Sequence, residues 1–119
     1  MSEAKTYQGG CQCGKVRYDV TVDLEKPVIA CNCSMCGRAW TLLSFVPASE
    51  FHLKSGEGFL KDYQFNKKHI HHLFCTECGV KSFARGEKAG QPMIAVNVRC
   101  LDDVELKNLN VMDFDGRKT

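Results

Sequence analysis

This sequence has no apolar run long enough to cross a bilayer. Its densest apolar stretch, Trp40 to Val46, falls far short of the roughly 20 residues a spanning helix needs. It also has no long block of one charge. The formal net charge is +2, and the densest basic patch, Lys67-Lys68-His69-Ile70-His71-His72, is short and interrupted by an apolar residue. That patch reads as an exposed strand end, and neither nucleic acid nor a membrane surface is expected as a partner. The polar N-terminus, Met1 to Gly10, lacks the apolar core of a signal peptide. A sustained helical period, an internal repeat and a low-complexity segment are absent too. With 119 residues, 44% hydrophobic and 25% charged, the composition suits one domain spanning 1–119.

Cysteine, in contrast, is abundant. Without a secretion signal, eight cysteines are expected in a reducing compartment, the cytoplasm, as metal ligands rather than disulfides. Closely spaced Cys-x-Cys pairs also make poor disulfides, since few local geometries meet the required separation and torsion.

Between the cysteines the pattern is that of strands. Val16, Tyr18, Val20 and Val22 alternate with Lys15, Arg17, Asp19 and Thr21, which predicts a half-buried strand over 15–22 following a turn at Gly9-Gly10. Further strands are predicted over 28–30, 40–46, 51–54, 59–65, 69–74, 80–84 and 93–98, with short edges at 102–106 and 111–114. Asn66 to Lys68 is expected as a turn and Arg85 to Pro92 as a loop. Pro47 to Glu50 is expected to form one helical turn, with Pro at its start. The expected fold class is all-β, mainly β with little helix.

Seven of the cysteines fall into three groups: Cys11-x-Cys13, Cys31-Asn32-Cys33-Ser34-Met35-Cys36, and Cys75-x2-Cys78. Each group ends in glycine (Gly14, Gly37, Gly79), where a positive φ would turn amide N–H groups toward thiolates. Short cysteine spacings of this kind supply tetrahedral zinc. Seven ligands divide as four plus three, and spacing permits two divisions. Cys33 and Cys36 can join Cys75 and Cys78, leaving Cys11, Cys13 and Cys31. Alternatively Cys11 and Cys13 join Cys75 and Cys78, which keeps the contiguous trio Cys31, Cys33 and Cys36 intact and is preferred for that reason. Cys100 shares strand parity with Val96 and Val98 and reads as a small buried side chain. His52, His69, His71 and His72 read as surface or satisfied histidines rather than ligands.

The motifs Cys11-x-Cys13-Gly14, Cys31-x-Cys33-Ser34-x-Cys36 and Phe74-Cys75-x2-Cys78-Gly79, with the later run Ala95 to Asp102, resemble the glutathione-dependent formaldehyde-activating enzyme family, which also includes centromere protein V. The resemblance runs roughly from Gly9 to Gly116. It implies that family's Mss4-like, zinc-bound β-sheet domain with two Zn2+ per chain. By the family pattern, Cys11, Cys13, Cys75 and Cys78 hold a structural zinc. Cys31, Cys33 and Cys36 hold a second, catalytic zinc with one position open to substrate. The implied activity is that of a carbon–sulfur lyase joining glutathione to formaldehyde, as S-(hydroxymethyl)glutathione synthase does.

A thiol at such an open position is acidified and reaches its aldehyde as thiolate. Glutathione carries two carboxylates, so basic contacts are expected, with Arg38 best placed and Arg99 and Lys15 next. No acid–base dyad stands out in the sequence. Two other readings remain: a non-catalytic zinc-binding structural or interaction module, and the same open zinc acting on another thiol.

Overall fold

The computed structural model describes residues 4–32, 34–64 and 70–114, without the side chains of Ser34 and Cys36. The predicted turn at 66–68, together with Phe65, His69 and Cys33, lies outside the described residues. The chain is mainly β, and its two sheets enclose one principal core.

The first sheet is antiparallel and comprises β1 (Lys5–Gly10), β2 (Arg17–Val22) and β5 (Phe51–Ser55), in the order β1-β2-β5. Strand β2 has the expected alternation, with Tyr18, Val20 and Val22 buried. Strand β1 falls where the sequence suggested only a polar start and a turn. Its two buried residues are Gly9 and Gly10, which carry no apolar signal. Glycine is required at the second, because a Cβ on Gly10 would lie 2.0 Å from the Val16 carbonyl oxygen.

The second sheet has the order β10-β3-β4-β9-β8-β7-β6. Its strands are β3 (Val28–Cys31), β4 (Leu43–Pro47), β6 (Leu60–Tyr63), β7 (His71–Cys75), β8 (Phe83–Lys88), β9 (Gln91–Asn97) and β10 (Val111–Phe114). Among the described residues only the β10–β3 pair is parallel.

Several boundaries differ from the sequence expectation. The expected loop at 85–92 is mostly strand, because β8 and β9 close on a two-residue turn at Ala89-Gly90, both with positive φ (53° and 79°). Such a turn matches the twist of the flanking strands. The segment 102–106 forms no strand; a 3-10 turn at Leu106–Asn108 leads into β10 instead. Pro47 precedes a 3-10 turn at Ala48–Glu50, as expected. The strand expected from Trp40 begins only at Leu43. The second cysteine group forms a short helix, α1 (Ser34–Ala39), which ends on Trp40 with φ 57°. A six-residue helix is too short for periodicity to reveal.

The core lies between the sheets. Tyr18 of β2, Phe51 of β5 and Phe83 of β8 form an aromatic triangle with centroid separations of 4.8, 4.6 and 5.7 Å. Each such contact contributes about 0.5–1.5 kcal/mol beyond area burial. The buried Tyr18 hydroxyl donates to the Ser82 carbonyl at 3.1 Å, and burial raises its pKa. The opposite face of the large sheet carries a smaller cluster of Leu43, Ala84 and Ala95, against which Ile29 and Cys31 pack. Cys11 and Cys75 belong to the inner core and Cys31 to the outer cluster. The sheet therefore separates them.

His72 on β7 is buried, and burial, followed by the charge of Lys81, pushes its imidazole down to about 4. An unfolded histidine titrates near 6.5, so between those values the unfolded chain binds the extra proton and stability falls as pH falls. Wild type is expected to lose about 1–2 kcal/mol more than His72→Gln between pH 7 and 5 in denaturant titrations of the metal-loaded chain. Parallel pH profiles for the two proteins would contradict the assignment.

Candidate metal centre and the cysteine trio

Two chain turns assemble one cluster. In the first, between β1 and β2, the Cys11 N–H donates to the Val16 carbonyl at 3.1 Å and the Val16 N–H returns to Cys11 Sγ at 3.4 Å. Gly14 makes that reversal with φ 83°. In the second, after β7, the Cys75 N–H donates to the Val80 carbonyl at 3.1 Å and the Glu77 N–H donates to Cys75 Sγ at 3.4 Å. Gly79, with φ 79°, closes it. Backbone N–H groups of Lys15 and Val80 serve Cys13 and Cys78 in the same way. Each sulfur thus faces an amide donor. The glycine device expected at all three groups holds at two, because Gly37 lies inside α1 and is not at positive φ.

The sulfurs of Cys11, Cys13, Cys75 and Cys78 all lie within 4.8 Å of one another. Cys11 and Cys13 Sγ are 3.5 Å apart, and Cys13 and Cys75 Sγ 3.7 Å. Four thiolates around zinc at about 2.3 Å stand about 3.8 Å apart along each tetrahedral edge, so the set fits a metal ion of that size. These four belong to the division that leaves Cys31, Cys33 and Cys36 together.

The electrostatics favour a cation as well. The Val80 N–H brings the Cys78 thiol down to about 6. Burial works against ionising Cys11, but the Val16 N–H and the contacts with Cys13 and Cys75 outweigh it. At Cys13 the Lys15 N–H favours thiolate, yet burial and the other three sulfurs push it up to about 11. Four adjacent sulfurs cannot all ionise without positive charge among them, and a divalent ion supplies it.

Cys31 sits elsewhere. It ends β3, half-buried in the outer cluster, and Cys36 is on α1, which packs against β3. Cys33 and the Cys36 side chain lie outside the described residues. Cys100 is half-buried, but in a 3-10 turn (Val98–Cys100) rather than in a strand, so parity with the valines ends at Asn97. Burial pushes its thiol up to about 11, and it is not among the four clustered sulfurs. Among the described histidines none joins that cluster: His71 Nδ1 meets Asp62 at 2.5 Å, His72 is buried, and His52 lies exposed on β5. Of the basic candidates, Arg38 is exposed on α1, Lys15 lies over the Phe59 ring, and Arg99 lies over Trp40.

Sequence reasoning passed over Asn97. This buried amide accepts from the Leu42 and Arg99 N–H groups, each at 3.2 Å, and donates to the Lys81 carbonyl at 3.0 Å. It ties the segment after α1 to the end of β9. A polar residue between Val96 and Val98 was the signal available. The ion pair of Arg17 with Asp102 was also missed, since the two are distant in sequence.

Among the described residues no helix is long and apolar enough to cross a membrane. The family model described as glutathione-dependent formaldehyde-activating enzyme matches residues 6–113. A crystal structure of a Rhodobacter sphaeroides protein superposes with a TM-score of 0.77 at 25% sequence identity, covering 88% of this chain and 99% of that one.

Binding free energy at a cluster absent from the unfolded chain is folding free energy, about 10–16 kcal/mol for thiolate zinc. Stripping metal with a strong chelator is therefore expected to abolish the cooperative thermal transition, and Cys75→Ser to do the same. A cooperative transition within a few degrees of the loaded protein's would contradict the assignment.

Proposed function

Because this chain belongs to the glutathione-dependent formaldehyde-activating enzyme family, we propose that it is a zinc-dependent carbon–sulfur lyase that adds glutathione to formaldehyde. In this reading the 119 residues form one domain with two zinc ions. Cys11, Cys13, Cys75 and Cys78 hold the structural one, and Cys31, Cys33 and Cys36 hold the catalytic one. The observation that carries the reading is the separation of Cys31 from the four-sulfur cluster. Cys31 packs on the outer face of the large sheet while Cys11 and Cys75 are in the inner core, which supports a reading in which Cys31 serves a second site.

The division of labour follows. The inner cluster uses all four of its sulfurs on one ion and leaves no position for a ligand. The trio contributes three thiolates, and a zinc ion bound there would acidify an incoming thiol and hold it close to its partner. In the reaction the glutathione S–H adds across the formaldehyde carbonyl. A C–S bond forms, the C=O π bond becomes C–O–H, and no oxidant or reductant is consumed. The chain's own residues bring the thiol and the aldehyde together in one place, which lowers the entropic part of the barrier. Thiolate ligands persist in a reducing compartment, consistent with a cytoplasmic enzyme.

Uncatalysed addition of thiols to formaldehyde is already easy, so the measurement needs a matched enzyme-free blank. The zinc-loaded wild type is expected to accelerate glutathione-dependent loss of formaldehyde above that blank. Cys33→Ser is expected to return it to the blank rate, while Cys100→Ser keeps the acceleration. A wild type no faster than the blank would leave a non-catalytic zinc module. Acceleration with another thiol but not with glutathione would keep the site and change the substrate.

A further inference from the structure

We propose that Arg99, lying over Trp40 at the end of the sheet where β3 reaches Cys31, selects thiol substrates that carry a carboxylate. The inference rests on the reading above and adds to it a specificity-determining residue.

Trp40 is the starting point. It is 72% exposed, so it gains little from burial. Its φ of 57° places a bulky residue in the left-handed region, a strained conformation usually filled by glycine at the end of a helix. Neither packing nor backbone preference accounts for it. Strain held at an exposed position next to a functional segment points to a use for the side chain. That segment is α1, which ends at Ala39 and carries Cys36.

The use is visible across the ring. The Arg99 guanidinium carbon lies 5.6 Å from the Trp40 ring centroid. Stacking engages the flat face of a guanidinium and leaves its in-plane N–H donors for a ligand, in the fork geometry that matches a carboxylate. Among the described residues Arg99 makes no ion pair, whereas nearby Arg17 is neutralised by Asp102. Its charge is therefore available.

The pair is also held in place. Asn97 Oδ1 accepts from both Leu42 and Arg99 N–H, and the Val98 N–H donates to the Leu42 carbonyl at 2.8 Å. Trp40 and Arg99 are thus each within two residues of a common anchor. Sheet register relates that anchor to the strand that ends in Cys31: Ile29 pairs with Leu43, and Leu43 pairs with Asn97. Moving toward the same end of the sheet, β3 reaches Cys31, the chain before β4 reaches Trp40, and the turn after β9 reaches Arg99. Two strand spacings separate the first from the last, about 10 Å. That is about the distance from a cysteinyl sulfur to a carboxylate one residue further along a peptide.

The test compares glutathione with glutathione diethyl ester, which keeps the thiol and masks both carboxylates. Calorimetry on the zinc-loaded full chain, without formaldehyde, reads binding independently of turnover. Wild type is expected to bind glutathione about tenfold or more tightly than the ester, as loss of a charge-assisted contact implies. Arg99→Gln is expected to bring the two within roughly twofold of each other, Arg99→Lys to restore part of the difference, and Trp40→Leu to reduce it. Added salt should narrow the wild-type preference. Arg99→Gln with the wild-type preference intact, or wild type that does not distinguish the two thiols, would overturn the inference. Preferential binding lost in Arg99→Gln, together with no acceleration over the blank, would keep the subsite and remove only the catalytic reading.

Discussion

The constraint on which the structure depends is the crowding of four sulfurs into one small volume. Cys13 and Cys75 are 62 residues apart in sequence, yet their Sγ atoms are 3.7 Å apart. Thiols brought that close gain little from one another as neutral groups and repel as thiolates. A cation turns the same crowding into a cross-link between the β1–β2 connection and the end of β7. The backbone is shaped for that outcome in advance, with an amide N–H offered to each sulfur. The core then has less to do. The aromatic triangle and the valines of β2 and β9 fill the space between two sheets whose ends are already tied together.

The large sheet also works as a partition. Its inner face holds the closed cluster and the main core, and its outer face holds Cys31 among small residues, with α1 packed against β3. Here the four-sulfur cluster is kept on one side of the sheet and Cys31 on the other. Asn97 couples the Trp40–Arg99 contact to the sheet by hydrogen-bonding the chain near each of its partners. Rigidity at the rim therefore comes from a buried amide rather than from the exposed residues themselves.

Most of the strands were legible because their residues alternate, β2 most plainly. What escaped did so for identifiable reasons. β1 has no apolar signal, since the residues it buries are glycines chosen for close approach to β2. The β8–β9 hairpin turns on Ala89-Gly90, in which only the glycine is an evident turn residue. α1 is shorter than the window in which a helical period can be seen. The cysteine spacing narrowed the metal centre to two divisions but could not choose by geometry, because that choice depends on which distant turns the sheets bring together. The Trp40–Arg99 contact was out of reach of the sequence altogether, being made across two chain segments that the β4–β9 pairing and Asn97 bring together.

The most direct measurement is X-ray absorption at the zinc edge, with metal content determined on the same sample. One closed and one open centre are expected to give two zinc ions per chain and an average of about three and a half sulfur ligands per zinc, rising toward about four when glutathione is added. A single zinc per chain, or four sulfurs per zinc before any thiol is supplied, would contradict it.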